Sequence, residues 1–366
     1  MNGDWVSGPE TLMSEELGSN RCDFDKDLYE NDLVNTEYFQ SRNPDWNKVE
    51  VPMLTCSNWG GQGLHPRGNF EAYTQAASKN KWLEVHGKEH WTEFYTDYGV
   101  DIQKRFFAYF LKGQDNGWDK RPRVQLQVRH PGEKFTERFE QDWPLPSTNW
   151  SKFYLNYQNM TLDDIIPSSP QNISYDPMGD GVTLTTNPLK EEMEVTGPMA
   201  AKLFVSSESV DADLFLVVRA FYPDFKEVVF KGALDPHTPI AQGWLRASHR
   251  KLDETLSRPD RPYHTHDEKQ LLNPGQVYEL DIEIWPSCIS LPKGFRLALS
   301  IRGRDYVYPG GADGGLSNMK NKFTGVGPFL HDDPRDRPLS IFGKTVTLHN
   351  SKENPSFLLL PVIPKK

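Results

Sequence analysis

The side chains best suited to chemistry gather in one early stretch of the chain. His90 stands in the run His86-Gly87-Lys88-Glu89-His90-Trp91, just after an apolar strand-like segment. An imidazole there could accept a proton as a general base, or could be a loop histidine held by Trp91 and Glu89. His65, with Arg67 two residues on, could bind a carboxylate or tie the loop after Trp59 to its neighbours. Trp59 and Trp91 flank these histidines and could line an apolar pocket for a small molecule. Two later clusters invite a metal reading and do not sustain it. His264-Thr265-His266-Asp267 offers two alternating imidazoles with no third ligand at a useful spacing, so a solvated loop is expected. His331-Asp332-Asp333-Pro334-Arg335-Asp336 lacks the alternation and closing glutamate of a calcium loop. Cys22, Cys56 and Cys288 form no CxxC pair, so no metal, cofactor or disulfide framework is expected.

The elements that must position His90 are legible as alternating strands and helices. Val51 to Cys56 reads as a buried strand, Gly68 to Ala77 as a helix, and Trp82-Leu83-Glu84-Val85 as the next strand. Thr92 to Lys112 is predicted as a helix with an apolar stripe, and Gly113 as its C-cap. In an open parallel sheet, loops at the carboxyl ends of strands collect the chemistry. Asp97 and Glu93 are the nearest downstream carboxylates that could orient His90.

Beyond Gly117 the apolar period changes from 3.6 to 2. Val124, Leu126 and Val128 alternate with Arg123, Gln125 and Gln127. Short runs follow at 153–157, 182–185, 200–206, 212–221, 277–284, 296–301 and 357–363, separated by Gly and Pro turn signals. Many short strands at this spacing predict an antiparallel sandwich or jelly roll. The expected organisation is an acidic lead-in over 1–50, an α/β segment over 51–117 and a β-rich domain over 118–366.

Composition narrows the partners. The net charge of −10 is concentrated in residues 1–50, which hold 12 acidic and 4 basic side chains. No basic face is evident for phosphates, which argues against nucleic acid and anionic membrane as partners. No stretch reaches the roughly 20 apolar residues that span a bilayer, and a reducing, cytoplasmic setting fits the cysteines.

Several motifs, in order, resemble the C-terminal part of the α/β-hydrolase family that includes cocaine esterase and the Xaa-Pro dipeptidyl-peptidases. They are Asn58-Trp59-Gly60-Gly61-Gln62-Gly63-Leu64-His65, Trp82-Leu83-Glu84-Val85-His86-Gly87, Gln103-Lys104-Arg105-Phe106-Phe107 and Asp142-Trp143-Pro144-Leu145. In the second half, Val195-Thr196-Gly197-Pro198 and Gly243-Trp244-Leu245-Arg246-Ala247-Ser248-His249 are similar to the jelly-roll, galactose-binding-like domain of such enzymes. The resemblance implies the remnant of an α/β-hydrolase parallel sheet followed by a jelly-roll β-sandwich. It also implies a Ser, His, Asp mechanism in which His90 matches the histidine.

The other catalytic parts do not carry over. No G-x-S-x-G occurs in the 366 residues; Gly315-Leu316-Ser317-Asn318-Met319 comes nearest and lacks the closing glycine. Gly61 stands where the acid is expected, and the oxyanion-hole segment is absent. The expectation is therefore a truncated serine hydrolase of ester or Xaa-Pro peptide substrates. One alternative is a repurposed enzyme that cyclises or isomerises a small apolar specialised metabolite with the pocket near Trp59, His65 and His90. The other is a non-catalytic binding module. Two parallel strands alone would leave an edge uncovered, so a second copy, a partner chain, residues 1–50 or the rest of a longer parent protein is expected to cover it.

Overall fold

The structure is a computed structural model that describes residues 24–31, 37–88, 90–232, 237–309 and 330–365. Glu89, Cys22 and the Gly315 to Met319 segment lie outside these. Two short helices, α1 (Phe24–Glu30) and α2 (Glu37–Gln40), come before β1 (Met53–Asn58). The loop after β1 leads into α3 (Pro66–Gln75), where proline in the first turn presets the helical φ at no hydrogen-bond cost. Then come β2 (Lys81–His86), α4 (His90–Phe94) and α5 (Asp97–Lys112).

The helix expected to run unbroken from Thr92 is in fact two. Thr96 turns extended and its hydroxyl accepts from Gly99 N–H, capping α5. Gly113 ends α5 in the left-handed region, as its position predicts. His90 thus sits on the first residue of a one-turn helix directly after β2, not in an open loop.

β1 and β2 run parallel from Met53↔Lys81 to Asn58↔His86. β3 (Val124–His130) continues that sheet, parallel to β2, and pairs on its other side with antiparallel β4 (Lys134–Glu140). The strand that opens the period-2 region is therefore the third parallel strand. At its far end Arg129 pairs with Ile289 of β13 (Tyr278–Leu291), which joins the parallel sheet to the β-rich body.

That body is built from β5 (Asn149–Asn156), β6 (Thr161–Asp163), β7 (Gln171–Tyr175), β8 (Val182–Thr185), β9 (Met193–Ser207), β10 (Asp213–Phe221), β11 (Glu227–Val228), β12 (Ala241–Arg246) and β13. It is completed by β14 (Arg296–Arg302), the one-turn helix α6 (Leu339–Phe342), β15 (Val346–Asn350) and β16 (Phe357–Ile363). Pairing is almost wholly antiparallel, in the order β13-β9-β16-β5-β6-β8-β14-β10. Leu155, Met199, Leu216, Ile282, Leu299 and Leu358 lie in its single large core.

Three arginines fasten the α/β part to this body. Arg129, wholly buried on β3, donates to the carbonyls of Cys288 (3.2 Å) and Ile240 (2.9 Å) and to Ser287 Oγ (2.6 Å). Burial pushes it down to about 10, so it stays charged at neutral pH. From α3, Arg67 pairs with Glu283 at 2.9 Å, and Glu71 receives Arg261 at 2.8 Å.

Candidate functional site

The carboxyl ends of β1 and β2 bring together three of the four residues singled out in the sequence. His65, at the N-terminus of α3, meets His90 edge to face, with ring centres 4.7 Å apart and planes at 81°. Trp91 meets His90 at 4.5 Å. Trp59 is not part of this group. It is fully buried, stacked on Phe70 at 5.7 Å, and its indole N–H donates to the Gln127 carbonyl at 2.8 Å. It packs the core beneath the loop and has no face left for a ligand.

A fourth member, His86, was not evident from its neighbours. It ends β2, nearly buried, with Nδ1 3.1 Å from Glu84 Oε2. Glu84 is also buried and its other oxygen accepts from Tyr98 Oη at 3.2 Å. The i, i+2 spacing of Glu84 and His86 in one strand was the available signal, since such residues share a face.

Burial, followed by the charges of His65 and His86, lowers the His90 pKa below its ordinary value. Burial lowers His65 likewise. Both imidazoles are therefore neutral at pH 7, the form that accepts a proton. His90 Nδ1 is buried and has no hydrogen-bond partner among the described residues. Neither Asp97 nor Glu93 supplies one. Gly61, where the resemblance would place an acid, carries no side chain, and a Cβ there would lie 2.7 Å from Asn58 Oδ1, so a larger residue would require the Asn58 amide to move.

Around His90 the protein leaves an unusual number of buried polar atoms without partners: Ser57 Oγ, Asn58 Oδ1, both amide atoms of Gln62 and His86 Nε2. Folded interiors pair nearly all such groups. These orphans concentrate at the end of β1, which pairs only with β2 among the described residues. Met53 and Trp59 donate to the carbonyls of Asn80 and His86, so the intervening Leu54, Cys56 and Asn58 turn their backbone groups to the open edge. Of these, the Cys56 carbonyl is met by Asn69 Nδ2 at 3.1 Å.

The two clusters considered for metals turn out to be structural. His264 and His266 are not in a solvated loop. His264 Nε2 lies 3.0 Å from the Asp281 carbonyl and His266 Nδ1 lies 3.0 Å from His249 Nδ1. Burial lowers both pKa values to about 4. Because the folded values lie below the unfolded value near 6.5, the unfolded chain binds more protons between those pH values. This contribution to stability is complete above pH 6.5 and is lost as pH falls towards 4. With allowance for partial solvent access, urea titrations at pH 7 and pH 4 should differ by about 3 kcal/mol, and His264→Gln with His266→Gln should flatten that difference. In the second cluster, His331 contacts Asp305 at 3.0 Å, and Asp336 receives Arg246 at 2.9 Å, so its charges are already paired.

Residues 116–359 match the X-Pro dipeptidyl-peptidase C-terminal non-catalytic domain. The chain belongs to that family. This X-Pro dipeptidyl-peptidase C-terminal domain accounts for the β-rich body, while His90 and its neighbours precede the matched span. Other relatives reach further. Cocaine esterase of Rhodococcus sp. (strain MB1 Bresler) is 24% identical over 300 residues, or 72% of this chain and 45% of the esterase. A crystal structure of a CocE/NonD family hydrolase from Staphylococcus aureus superimposes with a TM-score of 0.83 at 29% identity, covering 93% of this chain and 59% of that one. An aminopeptidase from a marine sediment Thaumarchaeota archaeon shares the fold at TM-score 0.66 and 16% identity, over 96% of this chain and 62% of its own. The chain spans about half the length of these relatives, corresponds to the C-terminal part of the cocaine esterase-like hydrolases, and is of hydrolase lineage. Among the described residues, no helix is long and apolar enough to cross a membrane.

Proposed function

We propose that this chain carries the general base and the β-rich body of a serine hydrolase acting on small ester or Xaa-Pro peptide substrates, and that its centre is completed when a nucleophile-bearing part of the parallel sheet packs along β1. The observation that carries this reading is the open β1 edge ending beside His90, whose buried Nδ1 has no partner. Exposed Val51, Phe94, Tyr95, Phe107 and Leu111 add apolar surface on β1's entry, on α4 and α5 and on the turn between those helices. In the completed site the neutral imidazole takes the proton of a serine hydroxyl as its oxygen attacks the acyl carbon, then returns it to the leaving group. The docking part must also bring the carboxylate that Gly61 cannot provide. We also read the β-rich body as a jelly roll, which its antiparallel pairing and single core support.

A second reading, a non-catalytic binding module, has one specific support: the matched domain family is described as non-catalytic. The two are separated by a labelling experiment. Expressed alone, the 366-residue chain should give no fluorophosphonate adduct and no hydrolysis of p-nitrophenyl acetate. Expressed with an elbow-bearing polypeptide encoded upstream in its own genome, it should give both. Turnover by the chain alone removes the binding module and the need for a docking part; no turnover in the co-expressed sample, or an upstream region that encodes no Gly-x-Ser-x-Gly elbow, sinks the hydrolase reading.

A further inference from the structure

A second site lies between α3 and the β-rich body, on the side of that helix away from the histidine cluster. His65 and Arg67 stand two residues apart, about 200° around the helix, so Arg67 turns from His90 and meets Glu283 of β13. A cavity of about 630 Å³ opens there, walled by Trp244 of β12, Trp285 of β13 and the loop over residues 253–267. That volume suits a small molecule.

The two tryptophans form its apolar corner. Glu283 and Trp285 are two residues apart on β13 and so share the face that looks into the cavity. β12 crosses β13 closely at Gly243, where a Cβ would collide with the Glu283 carbonyl and lie 2.9 Å from Ile284 Cα. That approach sets Trp244 beside Trp285, with ring centres 5.4 Å apart and planes at 76°. Both indoles are half-buried, so each keeps ring surface towards the cavity. The opposite wall is held before any ligand arrives: Asp253 N–H donates to the Tyr263 carbonyl at 2.8 Å, and Thr265 N–H to that of Lys251 at 3.1 Å. A preformed wall spares a ligand the entropy of ordering it.

The charges around this corner are unbalanced. Three carboxylates, Asp253, Asp267 and Glu283, line the cavity against one guanidinium. That guanidinium, Arg67, is taken by Glu283, whose two oxygens lie 3.1 and 2.9 Å from its Nε. Lys251, from beyond the cavity, meets Asp267 at 3.1 Å. Asp253 is only partly buried and forms no ion pair among the described residues, while its Oδ1 accepts from Thr255 and Leu256 N–H at 2.8 and 2.9 Å, which fixes the carboxylate in place. His264 and His266, in the same wall, are held neutral at pH 7 by burial and add no positive charge. An anion would face Asp253 and Asp267, and a neutral molecule would leave the Asp253 charge unanswered. A cation with carbon substituents meets both the carboxylate and the electron-rich indole faces.

We infer that this cavity binds an organic cation, of which a quaternary ammonium ion is the fitting chemical class. Its alkyl groups rest on the Trp244 and Trp285 indoles, and its charge faces Asp253. Every group involved belongs to this chain, so the site stands whether or not a nucleophile-bearing part docks along β1. Titration of the full chain with choline chloride, followed by calorimetry and by the indole N–H resonances in NMR, tests it, with 3,3-dimethylbutan-1-ol as the neutral probe of the same shape. Saturable choline binding is expected, about tenfold or more tighter than that of the alcohol. Trp244→Ala should weaken it about tenfold or more. Asp253→Asn should also weaken it, because asparagine keeps the acceptor for Thr255 and Leu256 and removes only the charge. That variant reports on the site even if Trp244→Ala lowers the unfolding midpoint. Absence of saturable choline binding overturns the inference. So does equal binding of the alcohol, or choline binding that neither substitution weakens.

Discussion

His90→Ala abolishes turnover in the completed hydrolase, lowering kcat/KM for p-nitrophenyl acetate by about 10⁴-fold or more while leaving KM nearly unchanged. The size follows from the role, because removing one member of a nucleophile and base pair costs nearly as much as removing both. The geometry supplies two further checks. Burial and two neighbouring imidazoles hold His90 below its ordinary pKa, so the acid limb of the kcat/KM profile should fall below the usual histidine value. Activity is then complete above that limb and is lost as pH drops through it, because only the neutral ring accepts the serine proton. His65→Ala removes one of the charges that depress His90, and it opens the packing that buries the ring. Both effects favour the imidazolium, so the limb should move to higher pH without loss of the plateau. A plateau lost in His65→Ala, or a limb that stays in place, would show that His65 acts otherwise than through His90. Unchanged turnover in His90→Ala would remove the catalytic reading and leave the binding module.

Much of this site was legible because strong local patterns agree with the tertiary structure. The β1, α3, β2 order and the position of His90 at the end of β2 follow from a short apolar run, a glycine-rich turn and a second apolar run. The runs at 182–185 and 357–363 coincide with β8 and β16. The misreadings have physical causes. Alternation of Val124, Leu126 and Val128 with polar residues was read as the start of the antiparallel body, yet β3 lies parallel to β2 and Gln125 and Arg129 on it are buried. Sequence period reports side-chain polarity. It is silent about a cation whose donors find backbone carbonyls of Cys288 and Ile240 more than a hundred residues away. Trp59 looked like a pocket wall because aromatic residues beside a histidine often are. Its burial depends on Phe70 and Gln127, which only the fold brings near. The histidine loop at 264–266 looked solvated because its neighbours are polar, and its contact with His249 crosses from the turn after β12. β9 and β13 extend well beyond their apolar runs because each finds partners along nearly its whole length, through a bulge between Ile284 and Ser287.

Glu71→Ala should destabilise the protein by about 3–5 kcal/mol, a loss measured as a fall in the urea midpoint followed by far-ultraviolet circular dichroism. Glu71 and Arg261 each expose only 8% of their side chains, and both Glu71 oxygens lie 2.8 Å from Arg261 Nη1. Gln75 also donates to Glu71, and Arg261 Nη2 reaches the Leu256 carbonyl at 2.9 Å. Deleting the carboxylate leaves a buried guanidinium whose Nε already lacks a partner, so the cost is that of an uncompensated charge and exceeds that of a lost surface pair. Removing both charges together should therefore cost less than removing one. Glu71→Leu with Arg261→Met keeps the volume and deletes the unpaired ion, and its midpoint should lie well above that of Glu71→Ala alone. This pair joins α3 of the parallel sheet to the loop that lies over the β-rich body, while Arg67 with Glu283 and Arg129 with Cys288 and Ser287 of β13 and the Ile240 carbonyl make the same connection elsewhere. The two regions are thus expected to unfold in one transition. In Glu71→Ala that transition should move to lower urea as a whole. A separate early phase confined to β1 and β2 would mean that the arginines only touch the body and do not bind the sheet to it.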